Sequence, residues 1–554
     1  MMRRLLAGAI TTICLLGPGP LAAQVSDSAA GAIDKVFAQY ASTTSPGCIV
    51  GVGQSGRQVY AKAYGMANLE YSVPLTIESI SESGSVAKQF TAAALALLQL
   101  EGKLSLEDDI RKYLPEVPDF GQRITIRHLL NHTSGMRDQW AMWGLVGRGP
   151  GSEVHSIPKV LDLVSHQREL NFPTGSEYLY SNTGYVLASV IVTRVSGMPF
   201  AKFTEERFFK PLGMKDTQWR DDYRRIVPRR ATAYSRDGNV WVQDMPFTMV
   251  LGNGGLLTTV GDWLRWNNAL DEGLLGKPEL TRVLETQSKL SNGRSIDYAL
   301  GLTISEARGG VREVSHGGST AGYRTFLARY PAEKRLSVAL LCNAANANAT
   351  GLARQVAAVF LPPAPPTADS AVAAPVPAEE RERIVGSYRF PLSDEWFAIT
   401  AVRDELRLTG GNLALIPDGP DKYRTRTGFR ITVERTGGNV ARMIRTDPDG
   451  NSMTFERTTR PELTRAQLAV YAASYYSPEL AATISIAMDS ANLVLRSAPN
   501  DEVRLVPFYR DGFRVGTSPS SVRFVRDQRG AIKELRAFVG RARNVLFERV
   551  TPRH

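Results

Sequence analysis

Two textures divide the chain. In the first, apolar runs with helical spacing, FTAAALALLQLEG (90–102) and YVLASVIVTRVSG (185–197), each end at a glycine and predict helices. Around them lie strand patterns, GCIVGVGQSGRQVYAKAYG (47–65) near the start and YRTFLARYPAEKRLSVALLCNA (323–344) near the end. In the second texture, short alternating runs with turn residues at close intervals, such as ELRLTGGNLALIPDGPDKYRTRTGFRITVERTGGN (405–439), predict antiparallel β-barrels with almost no helix.

Between the two lies LPPAPPTADSAVAAPVPAEE (361–380), whose prolines and alanines cannot sustain a ladder or a helix throughout, so it reads as a linker. The β region also repeats itself in order. IVGSYRF (384–390) aligns with YAASYYS (471–477), DELRLTGG with ANLVLRSA, LIP at 415 with LVP at 505, and FER at 455 with FER at 547, at offsets that drift only from 87 to 92 residues. The predicted organisation is a signal peptide over 1–23, an α/β domain over 24–362 with an antiparallel sheet flanked by helices and an all-α lobe, a linker over 363–382, and two all-β antiparallel barrels over 383–459 and 460–554.

Composition changes this picture little. A chain of 554 residues that is 43% hydrophobic and 22% charged is globular and long enough for several cores. The N-terminus, MMRRLLAGAITTICLLGPGPLAAQ, has basic residues, a short apolar run cut by Pro18 and Pro20, and a small-residue site near Ala23. It predicts export, periplasmic or secreted, without a stable membrane anchor, because the run is shorter than the ~20 residues of a span. Cys14 leaves with that segment; Cys48 and Cys342 remain, in strand-like runs that suit either buried thiols or a bridge. The net charge of +11 is spread without an arginine-rich or basic-aromatic stripe, which excludes a nucleic-acid reader and leaves a small molecule or short peptide as the expected partner. The sequence leaves the oligomeric state open.

The candidate chemistry sits in ESGSVAKQF (82–90). Ser85 and Lys88 are three residues apart where a helix leaves Gly84, so the lysine reaches back towards the serine, and the helix N-terminus surrounds Ser85 with free N–H groups. A Ser-x-x-Lys by itself is weak, but two further elements follow: Tyr180-Ser181-Asn182 before an apolar helix, and His316-Gly317-Gly318-Ser319 leading into a strand. Order and spread, over about 230 residues, resemble the penicillin-recognising serine hydrolases, and within them the class C β-lactamase-like branch over about 27–362. ITIRHLLNHTSGM (124–136), NFPTGSEYLYSN (171–182), GNGGLLTTVGDWLRW (252–266) and ALGLTI (299–304) look like that family too.

The resemblance implies roles. Ser85 is the nucleophile that carries the acyl group; Tyr180 is the general base and then acid, its phenol lowered by the Lys88 ammonium; Asn182 orients Lys88 and binds the substrate amide. Backbone N–H groups of Ser85 and Ser319 form the oxyanion hole, at ~3–4 kcal/mol per donor, and Gly317 and Gly318 let substrate lie along the strand. His316 stands where β-lactamases and D-alanyl carboxypeptidases usually carry lysine, so carboxylate recognition weakens and a D-aminopeptidase or esterase is favoured. D-aminopeptidases of this family also carry two barrels, the last of which gates the site; here Asp501 and Glu502, in RSAPNDEVRL (496–505), are the candidate gating residues that would meet an ammonium.

Other readings are weaker. His128 and His132 are four apart, yet no glutamate follows His128 and Ser134-Gly135 ends the helix, so they are expected to be structural, with no metal and no cofactor. A Gly-x-Ser-x-Gly elbow is absent, against an α/β-hydrolase. Trp140 and Trp143 suit either an acyl pocket or the core of the helical lobe. The function expected is an exported serine hydrolase of small amides or esters; the alternatives are a D-alanyl-D-alanine carboxypeptidase or β-lactamase, and a non-catalytic penicillin-binding-fold receptor or scaffold.

Overall fold

The computed structural model describes residues 25–363, 376–408, 413–447, 452–490, 492–497, 501–516, 518 and 520–550. The predicted signal segment, residues 364–375 of the predicted linker, and the Asp501 side chain lie outside the described residues.

The first domain is built on a six-stranded antiparallel sheet. Its strands are β1 (Cys48–Gln54), β2 (Arg57–Tyr64), β3 (Thr303–Ala307), β4 (Val311–Thr320), β5 (Tyr323–Tyr330) and β6 (Leu336–Cys342), in the spatial order β3-β4-β5-β6-β1-β2. The two strand patterns at opposite ends of the domain thus become neighbours. Side chains alternate between two cores, as a period of two requires. Cys48, Val50, Val52, Val338, Leu340 and Cys342 face one apolar cluster, closed by the helices Asp27–Phe37 and Ala349–Ala357. Ile49, Ala339 and Leu341 face the other, with the helix Val260–Asp271. That helix comes so near β1 that a side chain on Gly51 would meet Val260 at 3.1 Å.

The register of β1 with β6 sets Cys48 directly opposite Cys342 on the same face, fully buried, and the two are joined in a disulfide. Of the two states the sequence left open, the structure takes the bridge.

Beyond the second core lies a helical lobe. Its central helices are α1 (Lys88–Leu100), buried from Lys88 through Leu98, and α2 (Asn182–Ser196), buried from Asn182 through Val192. Helices apolar on every side need protein on every side, and their alanines and small residues allow the close packing. Among the described residues no single helix is long and apolar enough to cross a membrane.

Two closed eight-stranded antiparallel barrels follow, with strands from Gly386 to Thr458 and from Ala473 to Arg549. Their likeness extends to single bonds. Tyr388 and Tyr475, equivalent in the repeat and both fully buried, donate to the carbonyls of Ile384 (2.6 Å) and Tyr471 (2.8 Å), four residues back in each case. Asp421 and Asp511 both take positive φ and both hold an arginine, Arg435 and Arg526. The second barrel docks against the first domain through a fully buried ion pair of Arg137 with Glu479, while Arg137 Nε donates to the carbonyl of Arg543 at 3.0 Å.

Candidate active site

The nucleophile's turn is held from three sides. Ser81–Glu82 is a short strand pairing with Leu257 and Thr258, and the Glu82 carboxylate is gripped by Arg220 (2.8 and 2.9 Å) in a buried bidentate pair. Gly84 then takes φ +52°, and Gly84–Ala87 form one 3₁₀ turn that runs straight into α1 at Lys88. A side chain on Gly84 would come within 2.5 Å of the Ser319 nitrogen on β4, so this glycine is what allows the serine turn and β4 to touch. Thr325 Oγ1 ties the same turn to β5 by donating to the Ser83 carbonyl at 2.7 Å.

Lys88 Nζ makes three contacts: Ser85 Oγ at 3.1 Å, Asn182 Oδ1 at 2.9 Å and the Asn253 carbonyl at 2.8 Å. The amide orientation is fixed, because Asn182 Nδ2 faces the acceptor-only carboxylate of Asp138 at 2.9 Å, which also accepts from the Asn182 backbone at 2.6 Å. Two of the lysine's contacts are therefore pure acceptors. An ammonium would donate to all three oxygens, Ser85 Oγ included; a neutral amine would give its two N–H donors to Asn182 and Asn253 and turn its lone pair to the Ser85 hydroxyl. Burial pushes the lysine well below its usual range, Arg541 adds to that, and only Asp138 opposes it.

Tyr180 is brought to the same point from the start of α2, with Lys88 Nζ 4.7 Å from its ring centre. Its Oη is buried beside the Ser85 hydroxyl, with no well-aligned hydrogen bond among the described residues. The expected lowering of this phenol is not what the structure gives. Burial raises it, and the Ser85 hydroxyl and the Arg541 charge only partly offset the rise. Asn182 orients Lys88 as expected, and with one bond at each end of its amide it keeps a second N–H and a second lone pair at the cavity.

His316 closes another side, on β4. Its Nδ1 lies 2.6 Å from the Gly317 carbonyl and so carries the proton, leaving Nε2 to accept from Tyr298 Oη at 2.8 Å. Burial, with help from Lys88, pushes this imidazole down to about 3, so it is neutral at any working pH. Gly317 lines the cavity with nothing nearer its missing side chain than 3.6 Å. Gly318 lines it too and has a second job: a side chain there would run into the Ser83 carbonyl (2.1 Å) and Thr325 Oγ1 (2.2 Å), so it also makes room for the serine turn.

Ser85, Tyr180, Asn182, His316, Gly317 and Ser319 all border one cavity of about 760 Å³. Trp140 lines it too, whereas Trp143 is buried behind, stacked on His155 at 4.3 Å. The histidines serve structure: His128 Nδ1 accepts from the Thr125 nitrogen in a capping box, and His132 Nδ1 accepts from the Ser181 nitrogen at 3.1 Å. Among the described residues no cluster of side chains suits a metal ion.

Glu502 is away from this cavity. It pairs with Arg496 across its own hairpin at 2.6 Å and is not among the residues that line the cavity. The barrel residue at the cavity is Arg541, from the turn between Ile532–Val539 and Ala542–Arg549. Sequence reasoning missed it, along with Asp138, Asn253 and Tyr298. Asp138 has a local signal as the cap of Gln139–Gly144, and Asn253 lies inside the GNGG stretch already singled out. Arg541 has none, being a hairpin tip brought in by domain docking.

A profile of the beta-lactamase family matches residues 33–360. Penicillin-binding protein 4* of Bacillus subtilis (strain 168) is 30% identical over 295 residues, 50% of this chain and 64% of that protein. D-aminopeptidase of Brucella anthropi is 29% identical over 301 residues, 54% of this chain and 56% of that protein. The chain thus matches under two thirds of the length of these curated relatives. Among solved structures, an octameric penicillin-binding protein homologue from Pyrococcus abyssi aligns with TM-score 0.54 and 24% identity, covering 77% of this chain and 99% of that one. D-amino acid amidase from Ochrobactrum anthropi SV3 aligns with TM-score 0.51 and 22% identity over 60% and 98%; at these identities both show a shared fold. With its family profile spanning the whole first domain, this chain belongs to the beta-lactamase family, the penicillin-recognising serine hydrolases.

Proposed function

We propose that the chain is an exported hydrolase that cleaves small amides or esters through an acyl-enzyme on Ser85, with Lys88 as the base. The observation that carries the reading is the buried Lys88 Nζ, 3.1 Å from Ser85 Oγ and held by the Asn182 and Asn253 oxygens, where burial favours the neutral amine that can take the Ser85 proton. In the first step the Ser85 proton passes to Nζ while Oγ adds to the substrate carbonyl. The new ammonium is met by Asn182 Oδ1, the Asn253 carbonyl and, one shell out, the Asp138 charge. The carbonyl oxygen takes its negative charge towards the backbone N–H groups of Ser85 and Ser319, which Gly84 allows to approach each other. Tyr180, a protonated phenol with an unsatisfied buried hydroxyl, supplies the donor for the departing amine or alkoxide, whose lone pair gives that hydroxyl its missing partner. The Lys88 ammonium then returns its proton to the Tyr180 phenolate, which restores both groups, and water repeats the sequence against the acyl group, with Lys88 taking its proton and Tyr180 protonating the departing Ser85 Oγ.

The names of the relatives, D-aminopeptidase and D-amino acid amidase, support small D-amino acid derivatives as the substrate class. The leader-like N-terminus and a disulfide, which persists in oxidising compartments, support export. The test is turnover of a short-chain p-nitrophenyl ester and of D-alanine p-nitroanilide by the wild type and Ser85→Ala. The reading expects at least one to be hydrolysed and the variant to be silent; equal turnover by both proteins would refute it.

A further inference from the structure

Arg541 is fixed in place without being neutralised. Its carbonyl accepts from the Asp138 nitrogen (3.2 Å) and from Asn171 Nδ2 (3.0 Å), and two residues on, Arg543 donates its nitrogen to Asn171 Oδ1 (2.8 Å) and its guanidinium to Glu177 (2.8 Å). The side chain therefore leaves from an anchored turn, and its guanidinium carbon lies 4.7 Å from the centre of the Tyr180 ring, at the cavity. Among the described residues no carboxylate pairs with it.

The cavity's charges do not balance. Three guanidinium groups line it, Arg220, Arg324 and Arg541, against two carboxylates, Glu82 and Asp244. Glu82 is already gripped by Arg220, and Arg324, half-buried, donates from Nη1 to the main-chain carbonyls of Ala321 (2.6 Å) and Tyr323 (2.7 Å). His316 adds no positive charge, since Tyr298 and the Gly317 carbonyl fix it as a neutral ring. Of the three guanidinium groups, Arg541 is exposed, stands against the reacting side chain of Tyr180 and has no carboxylate partner among the described residues, and a guanidinium offers a carboxylate two parallel donors.

We propose that Arg541 is a specificity-determining residue that binds a carboxylate of the substrate, so that the Ser85 site takes short peptides ending in a free carboxylate in preference to their neutral or ammonium-bearing counterparts. The proposal deepens the hydrolase reading and rests on it for the chemistry, but not for the binding. A solvated arginine, or one that only tunes Lys88, would alter all substrates alike.

The test is binding in a Ser85→Ala background, measured by calorimetry with N-acetyl-D-alanyl-D-alanine and its C-terminal amide. The acid is expected to bind about tenfold tighter than the amide, the size of one partly exposed charge-assisted contact, and to lose affinity with added salt as the amide does not. Adding Arg541→Ala should bring the two ligands to near equality, and Arg541→Lys should restore part of the difference. Equal affinities, undetectable binding of both ligands, or a preference that survives Arg541→Ala overturns the proposal. Arg541-dependent binding without any cleavage by the wild type would remove the hydrolase reading and leave this one standing; Ser85-dependent cleavage without that preference would do the reverse.

Discussion

At the residue scale the protonation of Lys88 decides the mechanism. If it acts as a neutral base, arginine cannot replace it, because a guanidinium stays protonated. Lys88→Met and Lys88→Arg should both lower kcat/KM by about 10²–10⁴-fold, the usual worth of a general base; a Lys88→Arg enzyme near wild-type rate would restore the charge-donating role first read from the sequence. The pH profile follows from the direction of the shift: the acid limb should lie well below the usual lysine range, and a rate still climbing at pH ~10 would contradict it. His316 affects stability instead. Held neutral down to about 3 when folded, it binds a proton near pH 6.5 once unfolded, so the unfolded chain gains protons first and stability is lost as pH falls from about 6.5 towards 3. The drop in melting temperature between pH 7 and pH 4 should be smaller for His316→Gln than for the wild type.

At the element scale the predicted strands and helices were legible because each carries a strong period, and the barrels because they repeat. What the sequence does not carry is register. Cys48 and Cys342 fall opposite each other only because β1 pairs with β6 without slipping, a fact set by 294 residues of intervening fold. The Tyr180 phenol was misjudged for a related reason, since burial is a property of packed elements and no local pattern reports it. Closing so long a loop stabilises mainly through the unfolded chain, so Cys48→Ala/Cys342→Ala should lose about 2–4 kcal/mol in denaturant unfolding. An unchanged midpoint would mean the bridge contributes nothing.

At the scale of the whole molecule the site belongs to two domains. The Ser-x-x-Lys, Tyr-Ser-Asn and His-Gly-Gly elements could be read and joined from the sequence, because each sits at the edge of a regular element. The residue from the second barrel was sought in the wrong hairpin, since which loop of a barrel faces a neighbour depends on docking and leaves no local trace. That docking centres on Arg137 and Glu479, both fully buried. Glu479→Gln would leave the buried arginine with only the longer contact to the half-exposed Glu169 (3.6 Å), so it should cost a large part of the about 3–5 kcal/mol of a broken buried pair, whereas Arg137→Met/Glu479→Met should cost much less. Denaturant unfolding of the three proteins checks this order; a double variant as unstable as the single one would show that the pair is not the coupling.

The most direct test of the account is where the acyl group goes. After brief exposure to a p-nitrophenyl ester and acid quenching, peptide mapping by mass spectrometry should find one acyl group, on the peptide holding Ser85, and none on the Ser85→Ala protein. An acyl group on another residue, or equal labelling of the two proteins, would contradict it.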